Sequence, residues 1–431
     1  MPLNVVVLGV VSLLTDTATE MIYPLIPLFI AAMGSGPLIL GVIEGAAETT
    51  AALLKLASGI LSDRLGKRKL LVAVGYSISS LVRPLTGLVS AAWQIVPIRM
   101  ADRVGKGIRT APRDALVAAS VDPSMRGRAF GFHRAMDHAG AVIGPLAAVG
   151  SLLMLASFFG IREELPLLRW TFGLAIVPGL MAMAVAVFFV REKSDGTALA
   201  GEFRFSLKRF DRGFLAYLAV VLLFTLGNSS DAFLLFRVEE ALHRSGALVS
   251  LIRESPLIGG MIAGFGDPER QKKWVDILFL PLVWSFFHVI KAAFSTPLGA
   301  LSDRIGRKQV IQIGWGIYAF VYACFAFLDR LPGAWQIAAT LALFALYALF
   351  YAFTEGAEKA FVADLVGPER RGSAFGLYNL AIGLGALPAS VLFGVLYKAF
   401  GAAAAFGTGA VIACLSMVLL ALSVKDRTKK V

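Results

Sequence analysis

The feature that most constrains this chain is a series of about twelve apolar runs, each long enough to cross a bilayer as a helix. A spanning helix needs about 20 apolar residues, because a rise of about 1.5 Å per residue must cover about 30 Å of hydrocarbon. The runs occupy residues 4–31, 37–61, 70–90, 92–120, 128–157, 168–190, 213–237, 276–300, 309–329, 334–363, 373–398 and 402–424. We therefore predict an all-α polytopic membrane protein with twelve transmembrane helices.

The composition and the placement of charge agree with this prediction. Of the 431 residues, 57% are hydrophobic and 16% are charged, whereas soluble domains carry about 25% charged residues. The net charge of +12 comes from basic residues that collect in every second loop, at 64–69, 126–128, 191–212, 304–308, 370–371 and 425–430. Because Lys and Arg favour the cytoplasmic side, we predict cytoplasmic N- and C-termini in a cell membrane of the bacterial inner-membrane type. The same pattern explains the charge without a nucleic-acid partner.

Two loop sequences are duplicated along the chain. Residues 59–69 read GILSDRLGKRK and residues 299–308 read GALSDRIGRK, while 126–131 (RGRAFG) matches 371–376 (RGSAFG). The repeat predicts two pseudo-symmetric bundles of six helices, and repeats of this kind mark transporters whose site lies between the halves. The predicted units are an N-terminal bundle at 1–190, a cytoplasmic linker at 191–212, and a C-terminal bundle at 213–431 with an external insert at about 238–275.

The duplicated loop G-x-L-S-D-R-x-G-[KR]-[RK] resembles the signature of the major facilitator superfamily, here present in both halves. The resemblance implies that spans 1, 4, 7 and 10 line a central cavity, and that Asp63 and Asp303 latch the halves together in one conformation. Alternatively, the loops only set the topology; their duplication favours the latch. The predicted latch residues are Gly59, Asp63, Arg64, Gly66, Gly299, Asp303, Arg304, Gly306, Arg113, Asp114, Glu358, Lys359 and Asp137.

One part of this latch follows from charges that are inverted between the halves. The duplicate of Arg113-Asp114 is Glu358-Lys359, so matched positions carry opposite charges. This inversion predicts a salt bridge between the halves at the cytoplasmic end.

Span 4 carries an unusual stripe of charge. Its ionisable side chains recur every three or four residues and so share one helix face, which must face a partner helix or a water-filled cavity, since charge in lipid is costly. They are Arg99, Asp102, Arg103, Lys106, Arg109 and Arg113. The segment 103–107 resembles the superfamily's R-x-x-Q-G motif, associated with proton transfer, but has Lys106 in place of the usual Gln. The stripe predicts an anionic or zwitterionic substrate.

Other charges and polar groups within the spans are also costly to bury, and are therefore candidates for function. The proton-coupling candidates are Asp16, Glu20, Glu48, Asp231, His288 and Glu355. The substrate-binding candidates are Tyr23, Arg103, Lys106, Arg109, Asn228, Lys291, Tyr351 and Asn379. Arg83 is a further cavity candidate, ranked lower because by resemblance span 3 sits beside the cavity and not in its wall.

Two features leave alternatives open. Gly140-x-x-x-Gly144-Pro145 in span 5 partly resembles the superfamily's antiporter motif, but G-x-x-x-G is also a general helix-packing device. The insert at 238–275 serves as a lid or is simply a tolerated insertion, and we favour the second.

Together these patterns predict a monomeric secondary transporter that moves a small, anionic or zwitterionic solute by proton-coupled alternating access, in the direction of efflux. The alternatives are a transporter of a metal ion or metal chelate and, less favoured, a non-transporting receptor. We expect no enzyme, cofactor or bound metal, because no phosphate-binding loop, H-E-x-x-H or G-x-S-x-G pattern occurs.

Overall fold

The computed structural model describes residues 1–34, 37–161, 163–193, 207–229, 231, 233–234, 254 and 268–424. Fourteen α-helices lie in this part of the chain. In the first half they are α1 (Leu3–Glu20), α2 (Ile26–Ala32), α3 (Pro37–Leu65), α4 (Arg68–Val82), α5 (Ile95–Ala119), α6 (Arg126–Phe158), α7 (Glu164–Leu174) and α8 (Ile176–Phe188). In the second they are α9 (Arg212–Gly227), α10 (Pro268–Ile305), α11 (Arg307–Ala326), α12 (Gly333–Leu365), α13 (Arg371–Phe400) and α14 (Ala402–Ser423).

The all-helical prediction is confirmed, and some predicted spans consist of two helical segments. Tyr23–Leu25, a 3₁₀ turn with Pro24, separates α1 from α2, and α4 continues into the 3₁₀ helix Arg83–Leu88, which contains Pro84. Proline causes such breaks because it has no N–H for the helical ladder. Helix α10 begins at Pro268, before the predicted boundary at 276. Most of the predicted insert, and the tail 425–431, lie outside the described residues.

Seven helical stretches of the described chain are long and apolar enough to cross a membrane. Helix α5 is absent from this set because of its stripe of charges. In the structure 17 of its 25 residues are buried, including Arg99, Asp102 and Arg103. Its polar face therefore points into the protein and away from lipid.

Two helix pairs join the halves. Helix α6 packs along α10, and α3 packs along α13. At one end of both pairs the backbones approach closely: a Cβ on Gly59 would overlap the carbonyl oxygen of Gly372, and a Cβ on Gly299 would overlap that of Gly127. We call this end, which carries residues 63–68 and 303–308, the basic end.

Candidate functional site

A cavity of about 200 Å³ lies in the first half, lined mainly by α1, α5 and α6, and His288 on α10 of the second half completes its wall. Its lining residues are Asp16, Thr19, Glu20, Tyr23, Arg83, Arg103, Lys106, Arg109, Arg134, Asp137, His138, Ala141 and His288. The structure thus brings together eight residues that the sequence analysis had selected. The described lining contains five Arg or Lys side chains against three Asp or Glu side chains, so positive charge dominates.

A buried carboxylate stands behind the cationic wall. Asp102, 1% exposed, accepts a hydrogen bond from Arg83 Nη2 at 2.8 Å, and its other oxygen lies 3.6 Å from Arg99 and 3.9 Å from Arg103. The single carboxylate of Asp102 therefore partly neutralises three neighbouring guanidinium groups. Arg83, a cavity candidate that we ranked lower, lines the cavity. Its long side chain reaches from the end of α4 to Thr15 O, at 3.1 Å, and to Asp102.

Arg109 is held by α4 at the side of the cavity. Its guanidinium lies 4.4 Å from the centroid of the Tyr76 ring and donates to Ser79 Oγ at 2.6 Å. The close approach of α4 and α5 that this contact needs is allowed by glycine, since a Cβ on Gly75 would overlap the carbonyl oxygen of Gly105.

A polar cluster connects α6 with α10 and α12 across the two halves. His138 Nε2 lies 2.8 Å from Glu355 Oε2, and Lys291 Nζ lies 3.4 Å from Glu355 Oε1. His138 Nδ1 lies 3.2 Å from His288 Nδ1. The sequence analysis had proposed roles for Glu355, Lys291 and His288 but none for His138.

Asp137 also belongs to the cavity wall, although we predicted it as part of the latch. It accepts hydrogen bonds from Ser12 Oγ and, at 2.8 Å, from Arg134 Nη1. Both partners belong to the first half, as Asp137 itself does. Asp137 therefore lies on the face of α6 that packs against α1.

The other candidates of the second half are not among the lining residues of the cavity. Asp231 accepts hydrogen bonds from Tyr347 at 2.6 Å and Tyr351 at 2.9 Å, and Lys291 Nζ lies 3.8 Å from the centroid of the Tyr351 ring. Asn379 donates to Phe375 O within α13. Asn228 ends α9. The side chain of Glu48 lies outside the described residues.

At the basic end two carboxylates cap helices of the opposite half. Asp63 accepts hydrogen bonds from the backbone N–H groups of Gly372, at 2.9 Å, and Ser373, at 2.6 Å. Asp303 accepts those of Gly127, at 2.9 Å, and Arg128, at 2.8 Å. These N–H groups open α13 and α6, where a helix lacks intrahelical acceptors and favours negative charge. The duplicated loops therefore make equivalent contacts between the halves.

The arginines that assist these carboxylates differ from those we predicted. Arg64 and Arg304 are exposed. Buried Arg68 donates to Pro368 O, at 3.3 Å, and lies 4.0 Å from Asp63. Buried Arg307 pairs with Asp303 and donates to Pro123 O at 3.1 Å.

Asp364 adds a contact that sequence reasoning missed. It lies 2.5 Å from Arg126 and 3.1 Å from Arg307, and so joins α6 of the first half to α11 and α12 of the second. Gly66 and Gly306 contribute differently from the prediction: their φ angles of 64° and 105° form the tight turns after α3 and α10.

The predicted salt bridge between the halves is present. Lys359 Nζ lies 2.5 Å from Asp114 Oδ2, and Arg113 Nη2 lies 3.0 Å from Asp114 Oδ1. Glu358 accepts instead from Trp315 Nε1 and Tyr378 OH within the second half. Neighbouring helix positions point about 100° apart, so Lys359 faces the first half while Glu358 faces its own bundle.

A family model and a relative match nearly the whole chain. The family model of the Major Facilitator Superfamily matches residues 8–266 and 275–431. The chain belongs to the major facilitator superfamily. It is 33% identical over 418 residues to "Uncharacterized MFS-type transporter MJ1317" of Methanocaldococcus jannaschii, covering 97% of this chain and 94% of that protein. Multidrug resistance protein MdtH of Photorhabdus laumondii is 25% identical over 379 residues, covering 87% and 82%.

Solved structures of the superfamily share the fold at low sequence identity. The human organic anion transporter MFSD10 (TETRAN) superposes with a TM-score of 0.66 at 16% identity, covering 97% of this chain and 100% of that one. The proton:xylose symporter XylE gives 0.67 at 16% identity, covering 98% and 95%. The family match and the relative of 33% identity show that this chain is a membrane-spanning transporter of the superfamily and not an enzyme.

Asp63, which lies beyond the predicted span 37–61, is expected to make the contacts at the basic end depend on pH. Burial raises the pKa of Asp63 to about 6, while the N–H of Ser373 acts in the opposite direction. An exposed aspartate has a pKa of about 3.9, so the closed basic end binds the proton more tightly than an open one. Lowering the pH from about 7 to about 5 is therefore expected to favour the closed basic end by about 1 kcal/mol, because most of the proton uptake at a pKa near 6 falls within this range.

Spin labels at positions 64 and 304, which are exposed and belong to different halves, measure this effect as a shift toward the shorter distance in acid. The variant Asp63→Asn cannot titrate there and serves as the control. A shift of equal size in the variant, or a shift toward longer distances in the wild type, would show that Asp63 is not responsible.

Proposed function

We propose that this transporter moves a small anionic or zwitterionic solute by proton-coupled alternating access, in the direction of efflux. The observation that carries the proposal is the cavity, where Arg83, Arg103, Lys106 and Arg109 form one wall. Fixed cations in a cavity of low dielectric constant attract anions strongly. A lipophilic cation would meet repulsion from the same wall.

The size of the cavity supports a small solute. Sites for drug-sized ligands usually have volumes of about 300–1,000 Å³, whereas this cavity has about 200 Å³. Drug efflux is the second candidate, because MdtH is named a multidrug resistance protein. The charged lining and the volume favour the small anion.

The contacts of the basic end support alternating access. Along α5, α6 and α10, the contacts between the halves at residues 114, 127 and 303 lie nearer the basic end than the cavity residues of the same helices do. Because Lys and Arg favour the cytoplasmic side, we assign the basic end, both termini and the linker 191–212 to the cytoplasm of a bacterial-type inner membrane. The described state is then closed to the cytoplasm, and a monomer with bundles at 1–190 and 213–431 rocks to the opposite state.

Carboxylates in the cavity supply the proposed proton coupling. Asp16 and Glu20 line the cavity together with Arg103 and Lys106. When ionised they compete with a bound anion for these cations, and protonation removes the competition. The remaining candidates are Glu48, Asp231, His288 and Glu355.

The test is flux into and out of proteoliposomes under an imposed pH gradient, with a panel of small carboxylates and lipophilic cations. We expect gradient-driven flux of a carboxylate, which Glu20→Gln and Asp231→Asn uncouple from the gradient by tenfold or more. Asp122→Asn, at an exposed site, is the matched control. Full coupling in both Glu20→Gln and Asp231→Asn would make the proton assignment wrong.

A metal ion or metal chelate was the alternative cargo. Within the described part of the chain, no three His, Cys, Asp or Glu side chains come together as a metal site. Saturable binding of a solute without flux would instead favour a receptor.

A further inference from the structure

His288 lines the cavity and has a buried polar atom for which the described residues supply no hydrogen-bond partner. The side chain is 7% exposed, lines the cavity, and has its Nε2 atom buried and unpaired among the described residues. Trp284 and Phe287 pack against the imidazole, with ring centroids at 4.8 and 5.3 Å. The ring is therefore held in place with Nε2 available to a ligand.

The hydrogen bonds of its neighbour determine the chemistry of this atom. Glu355 lies 3.4 Å from Lys291 Nζ and 4.0 Å from Arg134 Nε, and a carboxylate among these cations only accepts hydrogen bonds. His138 Nε2, 2.8 Å from Glu355, must then carry the hydrogen. With two cations already beside Glu355, a third charge on His138 is unfavourable, and a neutral His138 has a lone pair at Nδ1.

The lone pair at His138 Nδ1 determines which nitrogen of His288 carries the hydrogen. His138 Nδ1 accepts from His288 Nδ1 at 3.2 Å, so His288 carries its hydrogen at Nδ1. A neutral His288 then exposes a lone pair at Nε2, and this atom is a hydrogen-bond acceptor. A second acceptor in the cavity, Glu20 Oε2, is also buried without a partner among the described residues. The cavity thus combines a cationic wall with two acceptors that need a donor.

We infer that the ligand of this cavity is a small carboxylate that also carries a hydrogen-bond donor, a hydroxyl or an ammonium group. The carboxylate binds the wall of Arg103 and Lys106, and the donor binds His288 Nε2, with Glu20 as its neighbour. This inference rests on the proposed transport of small anions and narrows the class of solute. A buried acceptor left unpaired costs free energy, so ligands that lack the donor bind less well.

The test uses ligands that differ only at one carbon atom. Binding of propionate, lactate and alanine, and of succinate, malate and aspartate, is measured on the purified full-length protein in nanodiscs. In at least one series the hydroxyl or ammonium member is expected to bind about tenfold more tightly than the member with hydrogen. The difference between the hydroxyl and ammonium members identifies which donor is preferred.

Two variants distinguish the loss of the acceptor at His288 Nε2 from a general disturbance of the fold. His288→Asn retains an N–H near the position of Nδ1, and so keeps the bond to His138, but places no acceptor at the position of Nε2. His288→Gln places its amide oxygen near that position. The preference is expected to disappear in His288→Asn and to persist in His288→Gln.

The nitrogen-15 resonances of the wild-type histidines add a readout that no variant affects. They are expected to show His288 protonated at Nδ1, with a change at Nε2 when the donor ligand binds. Equal binding of all members of both series, or retention of the preference in His288→Asn, would overturn the inference and leave anion transport intact. If none of these carboxylates binds, the proposed function fails together with it.

Discussion

Replacing Gly59 with valine is expected to hold the transporter with its basic end open. Gly59 on α3 packs against Gly372 on α13, and a Cβ there would overlap the carbonyl oxygen of Gly372. Backbone atoms give way less easily than a flexible side chain, so the closed state loses its tightest contact between the halves. Overpacking a close contact costs about 1–3 kcal/mol, occasionally more, and each 1.4 kcal/mol changes the ratio of closed to open molecules about tenfold.

Distances between spin labels at positions 64 and 304 report this change, after Cys324 and Cys414 have been replaced by serine. We expect the longer distance to become dominant in Gly59→Val, with loss of transport. Gly150→Val is the matched control, because no atom lies within 4 Å of a Cβ at that helical position. Distances in Gly59→Val that equal those of the wild type would contradict the close approach of α3 and α13.

Removal of Lys359 is expected to open the same end through charge. Lys359 neutralises Asp114, whose side chain is 1% exposed and also contacts Arg113. Breaking a buried ion pair by removing one partner costs about 3–5 kcal/mol, because the other charge remains desolvated. In the open state both groups gain water, so Lys359→Ala lowers the population of the closed state and the melting temperature of the protein.

A double-mutant cycle with Asp114→Asn isolates the pair. We expect the effects of Lys359→Ala and Asp114→Asn to be strongly non-additive, with the double variant close to the single ones. Lys398→Ala, at an exposed position, controls for the general loss of a lysine. Additive effects would show that Lys359 and Asp114 are not coupled.

The structure shows which parts of the site follow from the sequence. Asp63 and Asp303 were predictable because the loop is duplicated, and Arg103 and Lys106 because charge recurs at helical spacing within an apolar run. The pair of Lys359 with Asp114 followed from inverted charge at matched positions. In each case a repeat or a period in the chain carried the information.

The missed contacts depend on tertiary placement. The acceptors and donors opposite the latch are backbone groups, at Gly127, Gly372 and Pro368, which have no distinguishing letter in the sequence. Arg68 and Arg307 were indistinguishable from other basic residues of their loops. Arg83 reaches the cavity only because a long side chain crosses from α4 to Thr15 and Asp102.

The clearest example is His138. His138 lies four residues after Arg134 on α6, and in the sequence nothing distinguishes it from the other ionisable residues at the start of this span. Its importance comes from Glu355 and His288 in the other half, which approach it only when the bundles are assembled. Only the assembled pair assigns the hydrogen on each imidazole nitrogen, and so the acceptor in the cavity.

The most direct test of the central claim, that the cationic cavity carries small anions, is flux through proteoliposomes that contain the wild-type protein or the variant Arg103→Gln/Lys106→Gln. The account predicts that a pH gradient drives flux of a small carboxylate in the wild type, and that the double variant loses it by tenfold or more. Flux of lipophilic cations without flux of any carboxylate, or carboxylate flux unchanged in the double variant, would contradict it.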